Sequence, residues 1–176
     1  MKKLMIALAV VAMAACTHAS AVDWKVSDMG DYQSKLVYSF NTADQVAVLA
    51  ALTAGGDNVA STIAGYALGD PATSSTGGRA YASGKSSGVD ANKDMFFIIF
   101  DSTIADGNKY AYTTAQDVSA NTYEEGGQSP GIYTLSIKNG AGIAATEQMI
   151  GTVPEPTSGL LLLLGVAGLA LRRRRA

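Results

Sequence analysis

Nearly all the residues whose type and spacing could do chemistry in this chain are carboxylates. Asp90, Asn92 and Asp94 stand at alternate positions, a spacing that gathers oxygen donors around Ca²⁺. A helix–loop–helix calcium site needs glycine at the next position. Met95 stands there instead and opens an apolar run. A looser loop site for Ca²⁺ and a plain polar turn are the two readings left, and no cofactor is expected. Asp101, Asp106 and Asp117 flank apolar runs, and Glu124-Glu125 lies in a polar stretch. Two carboxylates roughly 5–10 Å apart can hydrolyse a glycosidic bond, which keeps a secreted carboxylate-dependent hydrolase as an alternative. Acidic loop residues equally keep an exported domain soluble. No Gly-x-Ser-x-Gly, His-Glu-x-x-His or phosphate-binding glycine loop occurs.

Cys16 and His18 are the only cysteine and histidine, and both lie near the N-terminus. A chain that loses that segment has no disulfide, no Cys or His nucleophile–base pair and no zinc site of the usual ligand types. The expectation is a protein that is not an enzyme. Aromatic residues offer a different chemistry. Trp24, Tyr32, Tyr38, Tyr66, Tyr81, Tyr110, Tyr112, Tyr123 and Tyr133 could stack on sugars, and eight tyrosines against four phenylalanines suit partly exposed rings. Tyr110 and Tyr112 alternate on one strand and so share a face. That face reads either as a sugar-stacking surface or as ordinary β packing.

These residues must be carried by the stretch between two targeting segments. At the N-terminus, Lys2-Lys3 precede an apolar run from Leu4 to Ala15, and Ala19-Ser20-Ala21 supplies a small-residue cleavage site. This is the pattern of a secretory signal peptide, residues 1–21, read by the Sec translocon and signal peptidase at Ala19 and Ala21. The run is too short to cross a ~30 Å hydrocarbon core. Met13-Ala14-Ala15-Cys16 is also similar to a lipobox, so a lipoprotein anchored through Cys16 is a second alternative.

At the C-terminus, Val153-Pro154-Glu155-Pro156 is followed by an apolar run from Gly159 to Leu171 and then by Arg172, Arg173, Arg174 and Arg175. Proline keeps the first element extended. The apolar run reaches about 20 Å as a helix at ~1.5 Å per residue. The arginines form a cytoplasmic stop, since Lys/Arg clusters set the orientation of a span. Together the three elements, residues 153–176, resemble the PEP-CTERM sorting tail of Gram-negative bacteria. The resemblance implies processing near Pro-Glu-Pro by an exosortase after transient inner-membrane insertion. It also implies transfer to the outer envelope, cell surface or medium, in bacteria that make exopolysaccharide. An uncleaved single-pass anchor is the plainer alternative.

Between the tails, residues 22–152 form one expected domain. From Val22 to Val153, seven Lys/Arg stand against fourteen Asp/Glu, which argues against nucleic acid as a partner. Lys35–Phe40, Met95–Phe100, Lys109–Thr114, Gly131–Lys138 and Ile143–Met149 read as strands. Met95–Phe100 is a central strand buried on both faces, and Ile143–Met149 is an edge. Asp106-Gly107-Asn108 suits a hairpin turn. Thr42-Ala-Asp-Gln45 resembles a capping box before a helix over Ala43–Ala54, which Gly55-Gly56 ends. Val59, Ile63 and Tyr66 suggest a second short helix, with two more strands as the alternative. Thr73–Gly78 and Ser83–Gly88 read as loops. The expected fold is mainly β, of the α+β type: a small antiparallel sheet or sandwich with one or two short helices, flanked by apolar targeting helices. The expected function is a surface or matrix protein sorted by exosortase and associated with exopolysaccharide.

Overall fold

The computed structural model describes residues 20–29, 35–74 and 80–151. Numbered along the chain, the strands are β1 (Ser20–Ser27), β2 (Leu36–Asn41), β3 (Ala72–Thr73), β4 (Ala82–Val89), β5 (Asp94–Phe100), β6 (Lys109–Thr113), β7 (Gln116–Asp117), β8 (Tyr123–Glu124), β9 (Tyr133–Ser136) and β10 (Ile143–Met149). Two helices, α1 (Gln45–Ala54) and α2 (Val59–Tyr66), lie between β2 and β3. The protein is therefore mainly β, as its sequence implies. The apolar runs at the two termini lie outside the described residues.

The strands form two sheets. In the first, β1 pairs with β4 along one edge and with β8 and then β9 along the other. The β1–β9 pair is parallel and the remaining pairs are antiparallel. In the second, the order is β10-β6-β5-β2-β3, with β7 also on β5. Met95–Phe100 is central, as its unbroken apolar run requires. Ile143–Met149 is an edge strand. β6 and β7 lie end to end along β5, covering Ile98–Phe100 and Asp94–Met95 respectively. At the gap between them the Thr113 hydroxyl accepts from the Phe97 amide at 3.0 Å, so the buried N–H is not orphaned.

Side chains alternate across a strand, so β5 feeds two cores. Met95, Phe97 and Ile99 join Val22, Trp24, Val26 and Val37 between the two sheets. Phe96, Ile98 and Phe100 join Phe40, Val48, Leu52, Ile63 and Ile150 beneath the helices. The layers run sheet, sheet, helix pair. A buried polar chain crosses the inter-sheet core. Trp24 Nε1–H donates to Ser86 Oγ at 2.8 Å, and Ser86 Oγ pairs with Ser39 Oγ at 2.6 Å. The indole ring also lies against Phe97, with centroids 5.0 Å apart.

Several expectations need correction. Ser83–Gly88 is a strand, part of β4, rather than a loop. Its polar composition has a packing cause: Ser86 faces inward to the Trp24 indole. Gly84 leaves room for the ring, where an added Cβ would lie 2.6 Å from the indole. Ser20–Ser27 is a full strand, although it straddles the expected cleavage point. The helix starts after a 3₁₀ turn over Thr42–Asp44 and has no side-chain cap. Thr42 Oγ1 is buried without a hydrogen-bond partner among the described residues, so the capping box does not form. The second helix forms, which removes the alternative of two extra strands there. Gly131–Lys138 contracts to Tyr133–Ser136. The β5–β6 connection runs from Asp101 to Asn108, longer than a tight hairpin turn.

The chain enters and leaves the fold at opposite ends of β5. Ser20 stands opposite Val89, which the turn Asp90–Lys93 joins to the start of β5. Ile150 donates to the Asn108 carbonyl at 2.9 Å, and Asn108 precedes β6, where Tyr110 faces Phe100.

Candidate functional site

Of the carboxylates singled out in the sequence, Asp90, Asp101, Asp106 and Asp117 each have a bonding partner, and only Asp94 and Asp117 face each other across a strand pair. Asp90 Oδ1 accepts from the Asn92 and Lys93 amides at 3.0 and 3.1 Å, closing a turn on its own backbone. Lys93 takes a left-handed φ of 56° to complete it. The Asn41 side chain fastens this turn, accepting from the Asp90 amide and donating to the Gly88 carbonyl. Asp94 is drawn into β5 opposite Asp117. Among the described residues no three His, Cys, Asp or Glu side chains gather.

Asp101 ion-pairs with Lys35. Asp117 accepts from the Ser119 amide at 2.9 Å. The bonds from Ser119 hold its carboxyl below the ordinary range. Asp101 follows the end of β5 and Asp117 faces its start, so a strand's length of roughly 20 Å separates them at ~3.3 Å per residue. Glu124 lies on β8, across the other sheet.

A cleft of about 380 Å³ opens beside β5, β6 and β10. Lys35, Asp101, Lys109 and Glu147 line it, and the Lys35–Asp101 and Lys109–Glu147 pairs balance its charge.

The aromatic surface differs from the one that alternation suggests. Tyr110 and Tyr112 do share a face, with rings 6.5 Å apart. That face packs under the helices, and Tyr110 belongs to the core with Phe100. Burial pushes its phenol above the ordinary tyrosine range. Tyr32 lies outside the described residues. The rings that reach the outer side of the first sheet are Tyr81 and Tyr123. Lys25 Nζ stands 4.2 Å from the Tyr81 ring centre and Lys85 Nζ 5.3 Å from that of Tyr123. The Tyr123 hydroxyl donates to Asp23 Oδ1 at 3.0 Å. Sequence reasoning names both rings but misses the patch they form with Lys25 and Lys85. The alternation Val22-Asp23-Trp24-Lys25-Val26 could have found it, since it turns Asp23 and Lys25 outward once Ser20–Ser27 is taken as a strand.

The C-terminal exit is the best-defined junction. Ile150 is buried beneath the helices. Its carbonyl accepts from the Gly107 amide, and the Gly151 amide donates to the Leu52 carbonyl, each at 2.9 Å. Asp106 reaches across the same point and accepts from the Gly56 amide at 2.8 Å. Gly151, at φ 73°, packs so closely on the Asp106 carboxylate that a Cβ would fall 2.8 Å from it. The fold is thus fastened up to its last described residue. Val153, Pro154, Glu155, Pro156 and Arg172 to Arg175 follow outside the described residues, as Ala19 precedes them. Ala21 is described and lies fully buried in β1. No helix among the described residues is long and apolar enough to cross a membrane.

Residues 152–175 match the PEP-CTERM protein-sorting motif. The match begins at Thr152, the residue after Gly151, whose amide is bonded to Leu52. The motif implies an exported protein sorted by exosortase. No curated protein and no solved structure matches the chain.

Proposed function

We propose that the chain is made as a precursor, exported through the Sec translocon, freed of its leader by signal peptidase and released from its C-terminal tail by exosortase. The mature product is a non-enzymatic protein of the cell surface or extracellular matrix that associates with exopolysaccharide. The observation that carries this reading is the direct abutment of fold and motif. The domain is pinned through Gly151 and the sorting motif starts at Thr152, so cleavage beyond Gly151 keeps every hydrogen bond among the described residues.

The acidic balance of the domain and the outward patch of Tyr81, Tyr123, Lys25 and Lys85 support contact with neutral or amphoteric sugars, which stack on aromatic faces. Intact-mass measurement on the native host tests the reading, with envelope and medium analysed separately. The expected species has lost the leader and ends near Pro154–Pro156. A species that keeps Arg172 to Arg175 would sink the sorting reading and leave a single-pass membrane protein. Co-sedimentation with the host's exopolysaccharide tests the second half. Recovery of protein partners alone would turn the assignment toward a structural role.

A further inference from the structure

We infer that the leader is removed after Ala19, so that the mature chain begins at Ser20 and not at Val22. The inference rests on the export reading above. Signal peptidase meets an unfolded chain and asks for small residues three before and one before the scissile bond. Ala19 and Ala21 satisfy it for the Ala21–Val22 bond. Thr17 and Ala19 satisfy it for the Ala19–Ser20 bond. The fold distinguishes the two products.

Among the described residues, β8 pairs only with β1, and only through Ser20 opposite Glu124 and Ala21 opposite Tyr123. A chain that starts at Val22 removes both partners and leaves β8 with none. Ala21 and Val22 are each 0% exposed. Hydrolysis of the Ala21–Val22 bond leaves an α-ammonium on Val22, inside the ladder opposite Ser86. The Ser86 hydroxyl is already engaged by Trp24 and Ser39 and offers no countercharge. Placing that charge at a position the uncut strand buries is less favourable than placing it at a partly exposed one.

Hydrolysis of the Ala19–Ser20 bond, with water giving a carboxylate on Ala19 and an ammonium on Ser20, avoids both penalties. Ser20 is partly exposed. It stands opposite Glu124 on one side and opposite Val89, the neighbour of Asp90, on the other. The new positive charge arises on a partly exposed residue paired with Glu124, and every residue of β1 is retained.

N-terminal sequencing and intact mass of the exported protein, expressed from the full-length gene in its native host, decide the matter. A terminus at Ser20 is expected. A terminus at Val22, or a lipidated one at Cys16, overturns the inference while leaving export intact. A terminus at Met1 overturns both. Thr17→Asp supplies a second arm, because a charge three residues before the bond blocks cleavage there. Loss of the Ser20 terminus is expected, with precursor accumulating or with a Val22-starting product that melts at lower temperature. An unchanged terminus overturns the assignment of Thr17 and Ala19 as the recognised pair.

Discussion

The two faces of β5 are equally apolar and equally buried, yet the cores they feed are closed by different means. Met95, Phe97 and Ile99 meet a second sheet, where a Trp24–Ser86–Ser39 hydrogen-bond chain fixes the fit. Phe96, Ile98 and Phe100 meet two short helices rich in alanine, with Val48, Leu52 and Ile63 as the buried contacts. The inter-sheet core is held by residues far apart in the chain. The helical core is held largely by a local pair, α1 and α2, joined through Gly55 to Asn58. Polar groups buried in a core enforce one arrangement, whereas small apolar helix faces tolerate adjustment.

That contrast predicts a graded series. The largest effect should come from Phe97→Ala, which empties the space against Trp24 and should cost about 3–5 kcal/mol in urea-unfolding experiments. Leu52→Ala should cost less, near the lower end of the ~2–5 kcal/mol range, because the helix pair can settle toward the sheet. Equal losses for the two variants would erase the distinction between the cores. Ser86→Ala leaves the Trp24 indole N–H buried without its acceptor and should cost about 1–3 kcal/mol. A shift in tryptophan emission should accompany that loss, and an unmoved spectrum would show that the indole had found another acceptor.

Asp106→Ala probes the exit junction rather than either core. Losing the acceptor for the Gly56 amide should cost about 1 kcal/mol and speed hydrogen exchange at Gly56 and Gly151, leaving Phe97 and its neighbours protected. The smallest effect is the response to pH. Burial raises the phenols of Tyr110, Tyr133 and Tyr38, with nearby charge adding to the last two: Asp117 for Tyr133 and Asp70 for Tyr38. A raised folded-state value gives stability that is full below the ordinary 10.0 and lost as pH climbs through the folded value. Absorbance titration should show these phenols ionising late, together with unfolding. Asp117 works in the other direction. Its depressed carboxyl favours the fold above the ordinary carboxylate range, and that contribution fades in acid as pH falls through its folded value.

What the sequence made legible was whatever depended on hydrophobic period alone. Met95–Phe100 had to be central, Ile143–Met149 could form an edge, and Val59, Ile63 and Tyr66 lay on one helical face. What escaped was whatever depended on a distant partner. Ser83–Gly88 looks like a loop until Trp24 is laid across it, because Gly84 and Ser86 are chosen by the indole and not by strand propensity. Ser20 and Ala21 look like discarded leader until β8 is seen to need them. Tyr110 and Tyr112 share a face, as alternation requires, but only the helices decide that the face is covered. The sorting tail was the reverse case. Its three elements are contiguous, so no folding was needed to read them.

The opposite placement of the chain's two ends has a consequence for display. If the tail holds the domain at a membrane, Gly55, Asp106 and Asn108, which surround Gly151, form the pole nearest to it. The domain's outermost pole then holds Ser20, Asp90 and Glu124, about one strand length, roughly 20 Å, farther out. A passenger fused there would stand clear of the envelope, whereas one fused beside Asp57 would be pressed against it.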